Sequence, residues 1–105
     1  MTYEISTDPT RLDIALICRE LQNSYWAQGR TSGQITKSIE HSLCFGVFAG
    51  TKQVGFARVV TDQSTFAYLC DVFIIESERH KGIAQLLMKV VLNHESLLTV
   101  NWTLR

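Results

Sequence analysis

The chain has 105 residues, ten basic and ten acidic, and a formal net charge of zero. Hydrophobic residues make up 46% of it, which is enough for one globular domain, residues 1–105, to bury a core. The charge balance argues against a nucleic-acid partner, because such proteins carry a basic surplus on one face. No segment reaches the roughly 20 apolar residues of a membrane span, and Met1–Glu4 lacks the pattern of a signal peptide. We therefore expect a cytoplasmic protein that binds neither nucleic acid nor membrane.

The cysteines give no sign of a metal site or a disulfide framework. Cys18, Cys44 and Cys70 are odd in number, widely spaced and surrounded by apolar residues. They share no ligand spacing with the histidines. We expect all three to be reduced core residues.

The first elements of the chain are a short strand and a helix. Residues 3–6 favour a strand, and Thr7-Asp8-Pro9 is typical of a helix start, with proline in the first turn. Gly29 is expected to end this helix. Its apolar face follows helical spacing and comprises Ile14, Ile17, Cys18, Leu21 and Tyr25.

A second helix is predicted from a capping box. Thr31 and Gln34 are three residues apart, so each side chain can bond to the other residue's backbone. The helix would run to about His41 and bury Ile35 and Ile39.

Strands dominate the middle of the chain. Segments 44–49 and 54–60 are rich in Phe and Val, and the turn between them, 50–53, predicts a hairpin. Segment 66–75 is a long apolar run that contains Asp71. Such a run is typical of a central strand covered on both faces.

A last helix and a strand complete the pattern. The helix is predicted to begin near Lys81, and segment 100–105 favours the start of another strand. The order is β-α-α-β-β-β-α-β, a mixed α+β architecture. The expected apolar face of the helix comprises Ile83, Leu86, Leu87, Val90 and His94.

The junction before the last helix has the chemistry of an anion site. The first turn of a helix carries unpaired N–H groups and a partial positive charge, which suit a diphosphate. Gly82 and Ala84 let the backbone approach such a ligand, and Arg79 and Lys81 add positive charge. The alternative is an ordinary turn with a helix-packing glycine and solvated charges.

Residues 79–84, Arg-His-Lys-Gly-Ile-Ala, match the Arg/Gln-x-x-Gly-x-Gly/Ala motif of the GNAT acetyltransferases. The strand before the motif and the helix after it stand where that family has them. Segment 54–62 resembles the third strand of small bacterial members, and the resemblance extends over about residues 3–105. His80 is a departure, because that position is often glycine.

This resemblance implies acetyl-CoA as the acyl donor. Its diphosphate would bind the N–H groups of residues 80–84, and its pantetheine arm would pair with residues 72–74. An N–H near Phe73 or Ile74 would polarise the thioester carbonyl. The implied cofactor-binding residues are Val72, Phe73, Ile74, Arg79, His80, Lys81, Gly82, Ile83 and Ala84.

The implied reaction is acyl transfer to a small-molecule or peptide amine. A base must deprotonate that amine, and Asp71 is the carboxylate best placed for it, although it could instead be a strand carboxylate bonded to backbone or facing solvent. Tyr25, Trp26 and Arg30 lie where the family often walls the acceptor site, and Arg30 could hold an acidic group. Alternatively, the two aromatic residues belong to the core and Arg30 is a surface charge.

The resemblance also implies a fold that is incomplete after its fifth strand. Full members continue into another helix and two strands, which usually carry a tyrosine that protonates the leaving CoA thiolate. Tyr3, Tyr25 and Tyr68 do not correspond to it. The uncovered strand edge leads us to expect a homodimer.

Two other functions fit the sequence. One is a non-catalytic CoA-binding module derived from a truncated acetyltransferase. The other is a ferredoxin-like small-molecule regulatory domain in which the Gly82 loop is a coincidence.

Overall fold

Five strands form one mixed sheet, and three helices cover its faces, in residues 2–104, the range that the computed structural model describes. The predicted order and the α+β class are confirmed. The strand end expected at Arg105 lies outside the described range. The elements are β1 (Glu4–Ser6), α1 (Ile14–Gln22), α2 (Ser32–Glu40), β2 (Leu43–Ala49), β3 (Lys52–Thr61), β4 (Phe66–Ile74), α3 (Ile83–Leu92) and β5 (Asn101–Leu104).

The strands lie in the sheet in the same order as in the chain. Strands β1 to β4 are antiparallel neighbours, whereas β5 is parallel to β4. A parallel pair needs a crossover connection, and α3 supplies it. Because β5 pairs only with residues 66–69, residues 70–74 have no strand on that side within the described range. The sheet therefore opens between β4 and β5.

A β-bulge marks the point where the sheet opens. Arg58 of β3 lies opposite Asp71, and Val59 lies opposite Leu69, so Cys70 is an extra residue in β4. A bulge bends its strand and increases the local twist. This bulge lies directly after the last β4 residue that pairs with β5.

A hydrophobic core lies on each face of the sheet. On the face covered by α3, residues such as Phe45, Val59 and Leu87 are fully buried. On the face covered by α1 and α2, the buried residues include Ile17 and Phe56. The domain is thus a three-layer structure, with β4 contributing Ile74 to one core and Phe73 to the other.

The first helix begins later than the sequence predicts. Pro9 starts a separate 3₁₀ turn, and Leu12 then leaves the helical backbone conformation. Helix α1 begins at Ile14, where the side chain of Asp13 accepts from the Leu16 N–H. It ends at Gln22, so Tyr25 lies beyond it and is exposed instead of extending the apolar face. Gly29 likewise lies in the loop that follows.

The second helix agrees with its prediction. The Thr31 side chain accepts from the Gln34 N–H, and the Gln34 side chain accepts from the Thr31 N–H. Ile35 and Ile39 are buried against β2 and β3 residues of the same core.

The third helix differs in its start and in its buried face. Gly82 takes a left-handed conformation, so α3 begins at Ile83 and not near Lys81. The buried face is Ile83, Leu87 and Val91, whereas Leu86 is exposed. His94 lies after the helix, where its Nδ1 accepts from the Ser96 N–H. None of the described helices is long and apolar enough to cross a membrane.

The coverage of β4 is also less than predicted. Residues 68–70 and Val72 are only half-buried, and of these Cys70 and Val72 lie beyond the residues that pair with β5. The apolar run therefore belongs to a strand that borders an opening.

We expect Thr31→Ala to lower the free energy of unfolding by about 1 kcal/mol, because the α2 capping box would lose its side-chain acceptor. Urea unfolding followed by circular dichroism measures the change. Lys37→Ala, at an exposed position inside α2, is the control and should change stability much less. An equal loss of unfolding free energy in the two variants would show that the capping box adds no stability of its own.

Candidate functional site

A cleft of about 680 Å³ lies beside β4, near the bulge. Its walls come from the loop after α1 and from β3 and β4. Among the described residues that line it, the charged ones are both arginines. The lining residues are Tyr25, Trp26, Arg30, Arg58, Tyr68, Leu69, Cys70 and Val72.

Asp71 lies fully buried behind this cleft and joins the two arginines. Its Oδ2 accepts from Arg58 Nε at 2.7 Å and from Arg30 Nη1 at 2.9 Å. The β3–β4 register places Arg58 opposite Asp71, and the loop before α2 brings in Arg30. Arg58 Nη1 also donates to Ser42 Oγ at 3.0 Å. The result is a buried ion-pair network that fixes both guanidinium groups.

This network controls the protonation of Asp71. Burial alone would raise the pKa of Asp71, but the hydrogen bonds and positive charges of Arg58 and Arg30 outweigh it and hold the pKa below its usual range. The other oxygen, Oδ1, is buried and has no hydrogen-bond partner among the described residues. A carboxylate in this setting keeps its charge and is a weak base. The catalytic role predicted for Asp71 remains untested, and the geometry favours a positioning role.

We expect Asp71→Asn to destabilise the protein by about 3 kcal/mol at neutral pH, because it leaves two partly buried guanidinium groups without their counter-ion. Since the folded pKa of Asp71 is lowered, its stabilising contribution is present above the unfolded pKa and is lost as pH falls through the folded one.

The stability difference between the native chain and Asp71→Asn should therefore shrink below about pH 4. Denaturant unfolding between pH 3 and 7 measures it, with Glu40→Gln as an exposed control. A difference that stays constant over this range would contradict the ion-pair account.

The loop before α3 has the backbone expected of an anion site. Gly82, the residue before the helix, has φ +79°, and no side chain caps the helix start. A Cβ on Gly82 would meet nothing within 4 Å, so its conformation and not packing requires glycine. His80 has φ +66°, which is unfavourable for a residue with a side chain. This explains why glycine suits that position.

Positive charge at the loop comes mainly from Arg79. Arg79 Nε donates to the Ile74 carbonyl at 2.9 Å, which ties the loop to the end of β4. Lys81 Nζ instead pairs with Glu78 at 3.0 Å, and this hydrogen bond raises the pKa of Lys81. Glu78 also accepts from Tyr3 Oη at 2.6 Å. Lys81 is thus partly neutralised, while the rest of the Arg79 guanidinium has no partner among the described residues.

The backbone of β4 offers free groups to the opening. The Ile75 N–H donates to the Val54 carbonyl of β3, whereas the Ile74 carbonyl faces away from β3 and accepts from Arg79. Backbone groups of successive strand residues point to opposite sides. Val72 therefore presents both its N–H and its C=O to the opening, and Ile74 presents its N–H, since its carbonyl is bonded to Arg79. Phe73 is directed to Phe56 of β3.

The predicted acceptor residues do meet at the cleft. Tyr25 is 86% exposed and Trp26 is 44% exposed, so the alternative that they belong to the core is wrong. Their rings form an edge-to-face pair with centroids 5.5 Å apart. Arg30 is bound to Asp71 and is not a free surface charge.

Other site residues were not predicted. Arg58 and Ser42 are brought to the site by strand pairing, and Tyr68 and Cys70 line the cleft at the bulge. The signal in the sequence was a single charged residue in each of two apolar segments, 54–60 and 66–75. Cys18 and Cys44 are buried as expected, but Cys70 is half-exposed in the cleft wall.

Comparisons with known proteins agree on one family. The model of the Acetyltransferase (GNAT) family matches residues 12–95. A candidate acetyltransferase of Gibberella zeae is 28% identical over 109 residues, which cover 85% of this chain and 62% of that protein. The chain thus spans less than two thirds of that relative's length.

Solved structures extend the comparison. A candidate GNAT acetyltransferase from Xanthomonas campestris is 40% identical, with a TM-score of 0.96 over 100% of this chain and 75% of that one. A candidate acetyltransferase from Staphylococcus aureus has a TM-score of 0.79 at 16% identity, over 99% of this chain and 79% of that one. This second likeness concerns the fold alone.

Proposed function

Because the chain belongs to the GNAT family of acetyltransferases, we propose that it transfers an acetyl group from acetyl-CoA to the amine of an acceptor in the cleft. Acyl transfer in general follows from the family and the fold, whereas the donor and the acceptor class are our proposal. One observation carries it: the free edge of β4 runs from Val72, which lines the arginine-lined cleft, to Ile74, whose carbonyl accepts from Arg79 in the loop before the uncapped start of α3.

The loop before α3 would hold the diphosphate of the donor. The N–H groups of Gly82, Ile83 and Ala84 are at the start of the helix, where anions bind. The open space in front of Gly82 gives a ligand access to them, and Arg79 supplies charge. His80 and Lys81 complete the loop, and Lys81 forms a salt bridge with Glu78.

The free edge of β4 would hold the pantetheine arm. Val72 and Ile74 can pair with its amides as a neighbouring strand would. Of the two N–H groups expected to polarise the thioester carbonyl, the alternation of the strand favours Ile74 over Phe73. A fixed backbone donor stabilises the oxyanion that forms during attack.

Deprotonation of the acceptor requires a base. We retain Asp71 as a candidate base, but its lowered pKa and its two arginine partners weaken it for this role. A pH–rate profile of Asp71→Asn decides the matter. If its shape is unchanged, Asp71 acts only through the arginines.

Of the two alternatives, the ferredoxin-like regulatory domain is wrong, because the family match covers residues 12–95. A non-catalytic CoA-binding module still fits the geometry of the loop and of β4. The release of free thiol from acetyl-CoA in the presence of amines distinguishes an enzyme from such a module.

We expect calorimetry to detect acetyl-CoA binding to the native chain, and Gly82→Trp to reduce the affinity at least about tenfold by filling the space before α3. Gly50→Trp is the matched control, since Gly50 also has positive φ and open space but lies in the β2–β3 turn. Binding that survives Gly82→Trp, or is lost equally in the control, would refute the assigned donor site.

The homodimer and the cytoplasmic location remain predictions. Within the described range, strand β5 has a neighbour on only one side, and Phe66 and Leu98 near it are exposed. These features favour a partner copy at this edge. Sedimentation equilibrium at micromolar concentration should give twice the chain mass of 11.9 kDa. A monomer would contradict the prediction.

A further inference from the structure

We propose that the acceptor amine also carries a carboxylate, which Arg30 and Arg58 bind in the cleft. This inference rests on the proposed function and specifies its substrate class. The charged groups of the site are two guanidinium groups and the single buried carboxylate of Asp71. Together they leave one uncompensated positive charge beside the cleft, which an anionic ligand would neutralise.

Both arginines keep donors for a ligand. Arg30 uses Nη1 for Asp71, and Arg58 uses Nε for Asp71 and Nη1 for Ser42. The other guanidinium donors have no hydrogen-bond partner among the described residues. Asp71 and Ser42 already fix the orientation of these groups, so a ligand orders little more when it binds.

The net positive charge of Arg30, Arg58 and Asp71 together favours a carboxylate ligand over a phosphate. One net positive charge matches one carboxylate, whereas a phosphate monoester carries about −1.5 to −2 at neutral pH. The cleft holds no third cation among its described lining residues that would compensate the excess. Planar guanidinium donors also match the planar oxygens of a carboxylate.

The aromatic and aliphatic residues that line the rest of the cleft favour a ligand that has an apolar portion as well as a carboxylate. Tyr25 and Trp26 expose large aromatic surfaces beside the arginines, and Leu69 and Val72 line the same cleft. Exposed aromatic rings next to charged donors are typical of surfaces that bind a ligand with an apolar and a charged end. An apolar or aromatic amino acid has this combination of groups.

Calorimetry in the presence of CoA tests the proposal independently of turnover. The probes are phenylalanine and leucine against phenylalaninamide and leucinamide, which keep the amine and lose the carboxylate. β-Alanine against 2-aminoethyl phosphate compares carboxylate with phosphate. The variants are Arg30→Gln and Arg58→Gln, with Arg19→Gln on the exposed face of α1 as the control. Circular dichroism confirms that each variant is folded.

We expect the native chain to bind the acids at least about tenfold more tightly than the amides, and β-alanine more tightly than the phosphate. Arg30→Gln should abolish this preference, whereas Arg19→Gln should retain it. If Arg58→Gln does not fold, Arg30→Gln alone decides.

Equal binding of acids and amides, no binding of any acid, or a preference for the phosphate would overturn the inference. Acetyl-CoA binding by the same proteins separates the two hypotheses. Its absence in the native chain refutes the proposed function, whereas its presence together with equal acid and amide binding refutes only the carboxylate site.

Discussion

The incomplete pairing of β4 is the constraint on which the rest of the site depends. The strand is paired with β3 along its length, but β5 covers only its first four residues. The bulge at Cys70 separates these two halves. Free strand edges tend to pair with other chains, and proteins usually cover them. Here Arg79 binds the Ile74 carbonyl, and the start of α3 follows directly. The unpaired backbone thus lies next to the uncapped start of α3, and in our proposal the two together hold the donor.

The ion-pair network behind the cleft orients two arginine side chains more than it stabilises the core. A buried pair gains little net stability over apolar residues, but it is costly to break. Asp71 therefore holds Arg30 and Arg58 in one arrangement without being available to solvent. The same contacts that lower its pKa weaken it as a base. Our proposal extends to both arginines the role that the sequence suggested for Arg30 alone.

Local sequence signals predicted the elements well because each has a local cause. The Thr31–Gln34 capping box, the Phe- and Val-rich strands and the glycine before α3 all act within a few residues. The start of α1 was misplaced because two caps follow one another. Asp8 caps the 3₁₀ turn at Pro9, and Asp13 caps α1, where its own N–H donates to the Gln53 side chain of β3. The network of Arg58, Ser42 and Asp71 could not be predicted from local patterns, because it depends on strand register and on a bulge.

The most direct test of the account is an NMR titration of the isotopically labelled chain with acetyl-CoA. The amide chemical shifts report directly on the backbone N–H groups that form the proposed site. We predict shifts at Val72 and Ile74 and at residues 82–84, with small changes in β1 and in the β2–β3 turn. Shifts that avoid β4 and the start of α3, or no shifts at saturating ligand, would contradict the assignment of this opening as the donor site.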